Sequence, residues 1–277
     1  VSLKKLIRWL DEPGNSVILT GSSMFIMMVL AGILVPLTYS FGPNDFVGDP
    51  FVGPGAEFLF GTDQLGRDIL SRTFAAVYRD IGVAFLGVSI PLVVGTIIGI
   101  VLGISKNKKI VAVIASVIDG INAFPLLILA VALIAFFGPG LPSVILILAL
   151  TNWARYARIA RTKAVVVSQQ NYIEAAQTLG YPRRRIIRKH VAPNVSSETI
   201  AYALSDFILV ILLIAGLSFL GLAATPPTAE WGAMISEGRA YIINAPWITL
   251  FPGAALCWTA ISLAFIVEGL SRREGKV

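Results

Sequence analysis

Of the 277 residues, one is cysteine and one is histidine. Cys257 alone cannot close a disulfide within the chain, and neither it nor His190 has the companions that a zinc site requires, so no metal is expected. A GxxxxGK[ST] phosphate loop is also missing, so ATP hydrolysis is not expected of this chain. No cluster of nucleophile, base and acid suggests another catalyst, and the chain reads as non-enzymatic. Charge is scarce too: 14% of residues are Asp, Glu, Lys or Arg, against about 25% in soluble proteins. Apolar residues make up 56%, and the mean hydropathy is +0.80. A chain so poor in charge is an integral membrane protein. The net charge of +6 raises nucleic acid as a partner. No basic patch interleaved with aromatics supports that, and loop topology accounts for the excess.

What is present is a series of long apolar runs. A helix needs about 20 apolar residues to cross a hydrocarbon core. Runs of that scale fall at about 16–40, 81–104, 110–137, 143–167, 196–222 and 246–270, predicting an all-α membrane protein of six transmembrane helices. The first is too long for the h-region of a cleavable signal, about 7 to 15 residues. Residues 1–15 interleave Lys4, Lys5 and Arg8 with Leu3, Leu6, Ile7, Trp9 and Leu10, as an interfacial segment or a topogenic signal would. Gly95, Gly99 and Gly103 repeat at four-residue spacing in the second run, permitting close helix packing. With both termini inside, 18 of the 22 Lys and Arg lie on the cytoplasmic side. The positive-inside rule therefore predicts a multi-pass protein of the cell membrane, inner or plasma, in that orientation.

Polar residues concentrate in a few places. In Asn171 to Asn194, Asn171 and Glu174 have capping-box spacing, and Tyr172, Ala175, Ala176 and Leu179 recur on one small face. Gly180 then suits a helix stop, and Pro182 the first turn of a second helix with Ile186, Ile187, His190 and Val191 inward. The stretch reads as a helix-Gly-helix hairpin, placed in the cytoplasm by the charge count. Arg183, Arg184 and Arg185 would sit in the first turn of the second helix, where the macrodipole disfavours cations. They are either a product of the positive-inside rule or a docking surface for an acidic partner. A wet segment, 41–80, carries an amphipathic pattern through Ile69, Leu70, Phe74 and Val77, expected to lie at the outer surface. Asp63, Arg67 and Asp68 read there as a local ion-pair and capping network, or as contacts to an external protein or the substrate route. Asp119 and Asp206 interrupt apolar runs, where a carboxylate is costly. Without Lys, Arg or His partners in the membrane they make a thin ion relay, and each is expected to bind a neighbouring polar group or line a wet cavity.

EAAQTLG followed by RKHVAPN resembles the EAA loop of the membrane-spanning subunits of ABC importers: Glu174, Ala175, Ala176 and Gly180 match, and Pro193 falls at the terminal proline. His190 is usual in the dipeptide, oligopeptide and nickel branch, and Ala192 departs mildly from the pattern. GTDQLGRDILSR, with Gly61, Thr62, Asp63, Gly66, Arg67 and Asp68, resembles the external-loop signature of C-type permeases of that branch, as does SFLGLAATPPTAEWG. The tail VEGLSRRE matches only in part. The resemblance implies a type I ABC importer permease fold over 16–277, with the EAA loop at 168–195 and a cytoplasmic coupling-helix hairpin. It implies that Glu174, Ala175, Ala176, Gly180, Arg183 and Arg184 couple to an ATPase. The implied partners are a homologous second permease, two ATP-binding subunits that bind ATP and Mg, an external substrate-binding protein and the lipid membrane, with no nucleic acid. The implied cargo is di- or oligopeptides, with nickel or a nickel chelate as the alternative. An ATP-independent secondary transporter is the competing class; it calls for ion-coupling groups and often inverted repeats, and the sequence has no clear repeat.

Overall fold

The structure, a computed structural model, describes residues 14–273 and 275. Most of the N-terminal segment expected at 1–15 thus lies outside the described residues. Those residues form helices and loops, with two isolated antiparallel bridges, Phe46 to Arg67 and Thr62 to Asp68. The helices are α1 (Asn15–Thr38), α2 (Ile69–Ile104), α3 (Lys108–Ala123), α4 (Leu126–Phe137), α5 (Leu141–Ser168), α6 (Asn171–Thr178), α7 (Arg183–Phe219), α8 (Trp231–Gly238) and α9 (Trp247–Arg273). They divide into two compact units, one drawn from Val1–Ala84, Pro139–Leu141 and Phe207–Val277, the other from Phe85–Gly138 and Pro142–Asp206.

Four helices, α1, α2, α7 and α9, are long and apolar enough to cross a membrane, and the pair α3 and α4 would make a fifth. Their outward residues suit lipid: on α1, Ile26, Leu30, Ile33, Leu34 and Leu37 are all about half exposed or more. The helix α5 is 28 residues long, but Arg155, Arg158, Arg161 and Lys163 load its second half with charge.

Three expectations need correcting. The run 110–137 is not one straight helix: α3 and α4 meet at 93°. Pro125 forces the residue before it out of helical geometry. Phe124 is accordingly extended, with ψ 136 degrees. The amphipathic stretch at 69–80 is not a separate surface helix either. It is the start of the 36-residue α2, because nothing between Asp80 and Gly82 breaks the hydrogen-bond ladder. Finally, the second helix of the expected hairpin is continuous with the fifth run, giving the 37-residue α7. Pro193 does not end it: the five residues Ile187–Val191 just before it adopt π-helical geometry, and the Ala192 N–H bonds the Ile187 carbonyl. A π turn of this kind absorbs a local break without ending the helix.

In the first unit α1 packs on α9, where a Cβ at Gly21 would stand 2.5 Å from the Ser262 carbonyl oxygen. The Trp258 indole N–H donates to the Met24 carbonyl at 3.1 Å. In the second, α2 lies on α5 through its glycine stripe: a Cβ at Gly95 or Gly99 would stand 2.4 or 2.5 Å from the Trp153 or Ala157 carbonyl oxygen. Any side chain there would force the helices apart, so the four-residue spacing seen in the sequence sets this contact.

Candidate functional site

The polar loop after α5 is held from its inner face. Ile173 and Ala176 of α6 pack with Ile186, Val191 and Val195 of α7 and with Ile100, Ala160, Ala164 and Val167. The helix α6 starts at Asn171 as expected, but its N-cap is Gln170 and no side chain caps it, so the Asn171 and Glu174 capping box does not form. The small face of α6 is divided as well: Ala176 is buried, whereas Tyr172, Ala175 and Leu179 are exposed. At the other end Gly180 takes φ 76°, its N–H bonds the Gln177 carbonyl at 2.9 Å, and the Tyr181 N–H bonds the Ala176 carbonyl at 3.1 Å. These are the two bonds of a Schellman stop. Nothing lies within 4 Å of where a Gly180 Cβ would be, so the backbone angle alone requires the glycine.

Among the described residues, Glu174 and Arg184 are exposed and make no side-chain hydrogen bond or ion pair. Arg183 differs: its guanidinium donates to the Ile104 carbonyl at the end of α2. Arg185 lies 4.2 Å from the centre of the Tyr181 ring. His190 is half-buried with its ring 6.0 Å from that of Tyr172, a packing role.

The segment Gly61 to Asp68 is built in the opposite way, with its charges inside. Arg67 Nε meets Asp63 Oδ2 at 2.6 Å, and its Nη2 meets Glu237 Oε2 at 2.9 Å. Arg72 approaches the same two carboxylates at 3.7 and 3.6 Å and donates to the Pro43 carbonyl at 3.0 Å. Asp63, Arg67, Asp68 and Arg72 are each at most 2% exposed. Asp68 accepts the Ser71 N–H at 2.6 Å, and burial raises its carboxyl above the usual carboxylate range. Thr62 Oγ1 donates to the Asp49 carbonyl and accepts the Val52 N–H, while Gly61 and Gly66 turn the chain at φ 77° and 74°. Glu237 and Arg72 are not singled out by the sequence; Glu237 stands 170 residues from Arg67, with no local pattern to mark it. In the same unit Glu230 caps α8, accepting the Gly232 and Ala233 N–H groups at 3.0 and 2.7 Å, and burial raises its pKa.

Both carboxylates in apolar runs have neighbours. Asp206 is buried and accepts the Tyr156 hydroxyl at 2.9 Å. Asp119, expected to lack a cationic partner, pairs with Arg158 at 2.6 Å, both side chains more than half exposed. Asp119 and the arginines of α5 belong to different runs of the sequence, which hides this pair. Among the described residues no group of three or more His, Cys, Asp or Glu could hold a metal ion.

Residues 95–276 match the family described as binding-protein-dependent transport system inner membrane component. The chain belongs to that family. A dipeptide transport system permease protein of Alkalihalophilus pseudofirmus is 34% identical over 257 residues, 92% of this chain and 84% of the relative. A di/tripeptide transport system permease protein of Pseudomonas aeruginosa is 31% identical over 269 residues, 95% of this chain and 88% of the relative. The resemblance to ABC importer permeases of the peptide branch therefore holds. In fold, the chain is similar to the MetNI methionine ABC transporter in an inward-facing conformation, with a TM-score of 0.59 at 18% identity, covering 74% of this chain and 95% of that one. It is also similar to an amino acid ABC transporter, with a TM-score of 0.57 at 20% identity, covering 73% and 94%. The chain is thus an all-helical membrane component of an ABC importer with a permease fold.

Proposed function

We propose that this permease forms half of the translocation pathway of an ATP-driven importer for di- or oligopeptides. The observation that carries the reading is the EAA match on α6: Glu174 lies exposed and unpaired among the described residues, on a short helix anchored by Ile173 and Ala176 at the root of the 37-residue α7. A helix so joined to a long helix is suited to pass motion along it. In this reading α1, α2, the bent pair α3 and α4, α5, α7 and α9 are the six spans, with both termini cytoplasmic. The bend at Pro125 and the charge on α5 explain why two of the six do not pass as simple apolar helices.

The coupling helix α6 docks on one of two ATP-binding subunits, which bind and hydrolyse ATP with Mg. A homologous second permease completes a twelve-helix pathway, and an external binding protein delivers the substrate. ATP binding closes the ATPases, draws the two coupling helices together and rocks the permeases between inward-open and outward-open states. Glu174, Ala175, Gly180 and Arg184 present the docking surface, and Ala176 supports it from below. Arg183 holds the loop to the end of α2 and acts through position. The names of the relatives support peptides as cargo over nickel.

Co-purification with the ATP-binding subunits tests the coupling. Glu174→Arg and Gly180→Arg should each abolish recovery of the complex at matched membrane insertion. Recovery undiminished in both would remove the docking assignment and return attention to a transporter that works without ATP.

A further inference from the structure

Three helix ends meet beside α6 and leave a bay. The helix α2 ends at Ile104, α5 at Ser168, and α7 begins at Arg183. Between them is a cavity of about 400 Å³, open on one side. Its floor is apolar: Ile173, Ile186 and Val191 are each at most 6% exposed, with Ile104 and Ile187 beside them. Its rim is polar and carries Ser105, Lys106, Ser168, Gln177, Tyr181 and Arg183. The lining has two cations and no carboxylate. Arg183 is fixed there by its bond to the Ile104 carbonyl, and a guanidinium has further N–H groups to give. Lys106 is exposed and has no side-chain partner among the described residues.

A cationic rim above an apolar floor, beside the end of the apolar helix α2, fits a ligand that is itself anionic at one end and apolar at the other. Free phosphate would leave the isoleucine floor uncovered. Basic pockets at the cytoplasmic ends of membrane helices suit lipid headgroups for this reason. We propose that the bay binds an anionic phospholipid of the inner leaflet. Lys106 and Arg183 bond its phosphodiester, and the floor packs against its glycerol and first methylenes. Lys108 and Lys109, outside the lining of the bay, add attraction without contact. The lipid would fill the space between α6 and the end of α2, so that anionic lipid braces the coupling loop. The proposal rests on the reading above in one respect, that this end of the unit faces the cytoplasm.

The test is native mass spectrometry of the purified full chain, without partner subunits, after incubation with equal amounts of phosphatidylglycerol and phosphatidylcholine. Wild type should retain phosphatidylglycerol preferentially. Lys106→Glu should lower the retained fraction roughly tenfold, the scale of reversing one cation beside the phosphate. Lys109→Glu, an equal charge change outside the bay, should lower it far less. Excess sn-glycerol 3-phosphate, which lacks the acyl chains, should fail to displace the lipid. Equal retention of both lipids, equal losses in the two variants, unchanged retention in Lys106→Glu, or full displacement by sn-glycerol 3-phosphate would each overturn the proposal. A Lys106→Glu chain that keeps its lipid but no longer recovers the ATP-binding subunit would assign the bay to that subunit instead. Because lipid retention is read without ATPases, its failure is separable from failure of the coupling assignment.

Discussion

Arginine does opposite things in two loops of this chain. At the Gly61 to Asp68 loop, Arg67 and Arg72 are at most 2% exposed and their charges close on Asp63 and Glu237. At the α6 to α7 loop, Arg184, Arg188 and Lys189 are exposed and have no ion pair among the described residues. A buried charge must be paired or its desolvation goes uncompensated, so the first network fixes a loop and has little left to offer a partner. An exposed cation in the first turn of a helix, as Arg184 is, opposes its dipole, so helix stability does not account for it. The contrast separates charge that holds structure from charge left without an ion pair among the described residues, which in the proposed reading meets an acidic surface.

The largest effect should come from breaking the buried network on one side only. Arg67→Met leaves Asp63 and Glu237 in place without their close partner and should cost about 3–5 kcal/mol, seen as a lower midpoint of thermal unfolding in detergent. Removing Asp63 as well, as Asp63→Leu with Arg67→Met, should recover part of that loss, since an apolar replacement of a buried pair is far less costly than an orphaned charge. If the double variant is no better than the single, the network is not acting as a pair.

Gly180→Ala should come next. Open space surrounds the position, so the substitution meets no clash. What remains is the cost of holding an L-residue in the left-handed region, about 1–2 kcal/mol. Amide hydrogen exchange should show it locally, as faster exchange at Gln177 to Tyr181, with the Gly61 to Asp68 loop unchanged.

Charge reversal at Arg184 and Arg188 should be smaller still for stability and large for association. Surface substitutions away from special features seldom move stability measurably. The double variant Arg184→Glu, Arg188→Glu should therefore melt with wild type while recovering less of an ATP-binding subunit. Unfolding at a lower temperature would mean that these cations have internal partners after all.

The same division explains what was legible in the sequence. The apolar runs of α1 and α9, the glycine stripe of α2 and the stop at Gly180 are local patterns, and each falls where its spacing predicted. The Asp63, Arg67 and Asp68 network was half legible, because Asp63 and Arg67 are four residues apart, but Glu237 reaches it only through folding. Asp119 and Arg158 are 39 residues apart and Tyr156 and Asp206 are 50 apart, distances over which a single sequence carries no pairing signal. The continuous helices α2 and α7 were missed for another reason. A polar stretch beside an apolar one looks like a boundary, yet the backbone ladder runs on unless a proline or glycine stops it. At Pro193 a π turn carries it through.

The smallest effect should be that of pH on the buried loop. Burial raises the carboxyl of Asp68 above its ordinary value, although it accepts the Ser71 N–H and the Tyr39 hydroxyl. A folded-state pKa above the unfolded one means that the folded loop binds the proton more tightly. The contribution of Asp68 is then greatest below the unfolded value of 3.8 and declines as pH rises through the raised value. Opening free energies of the Thr62 to Arg72 amides, from hydrogen exchange corrected for intrinsic rates, should therefore rise slightly as the pH falls from neutral toward the unfolded value of 3.8. Asp68→Asn, which cannot ionise, should flatten that slope. Among the described residues the α6 to α7 loop holds no buried carboxylate, so amides there should show no such trend. A slope common to both loops would point to general charge repulsion rather than to the one buried carboxyl.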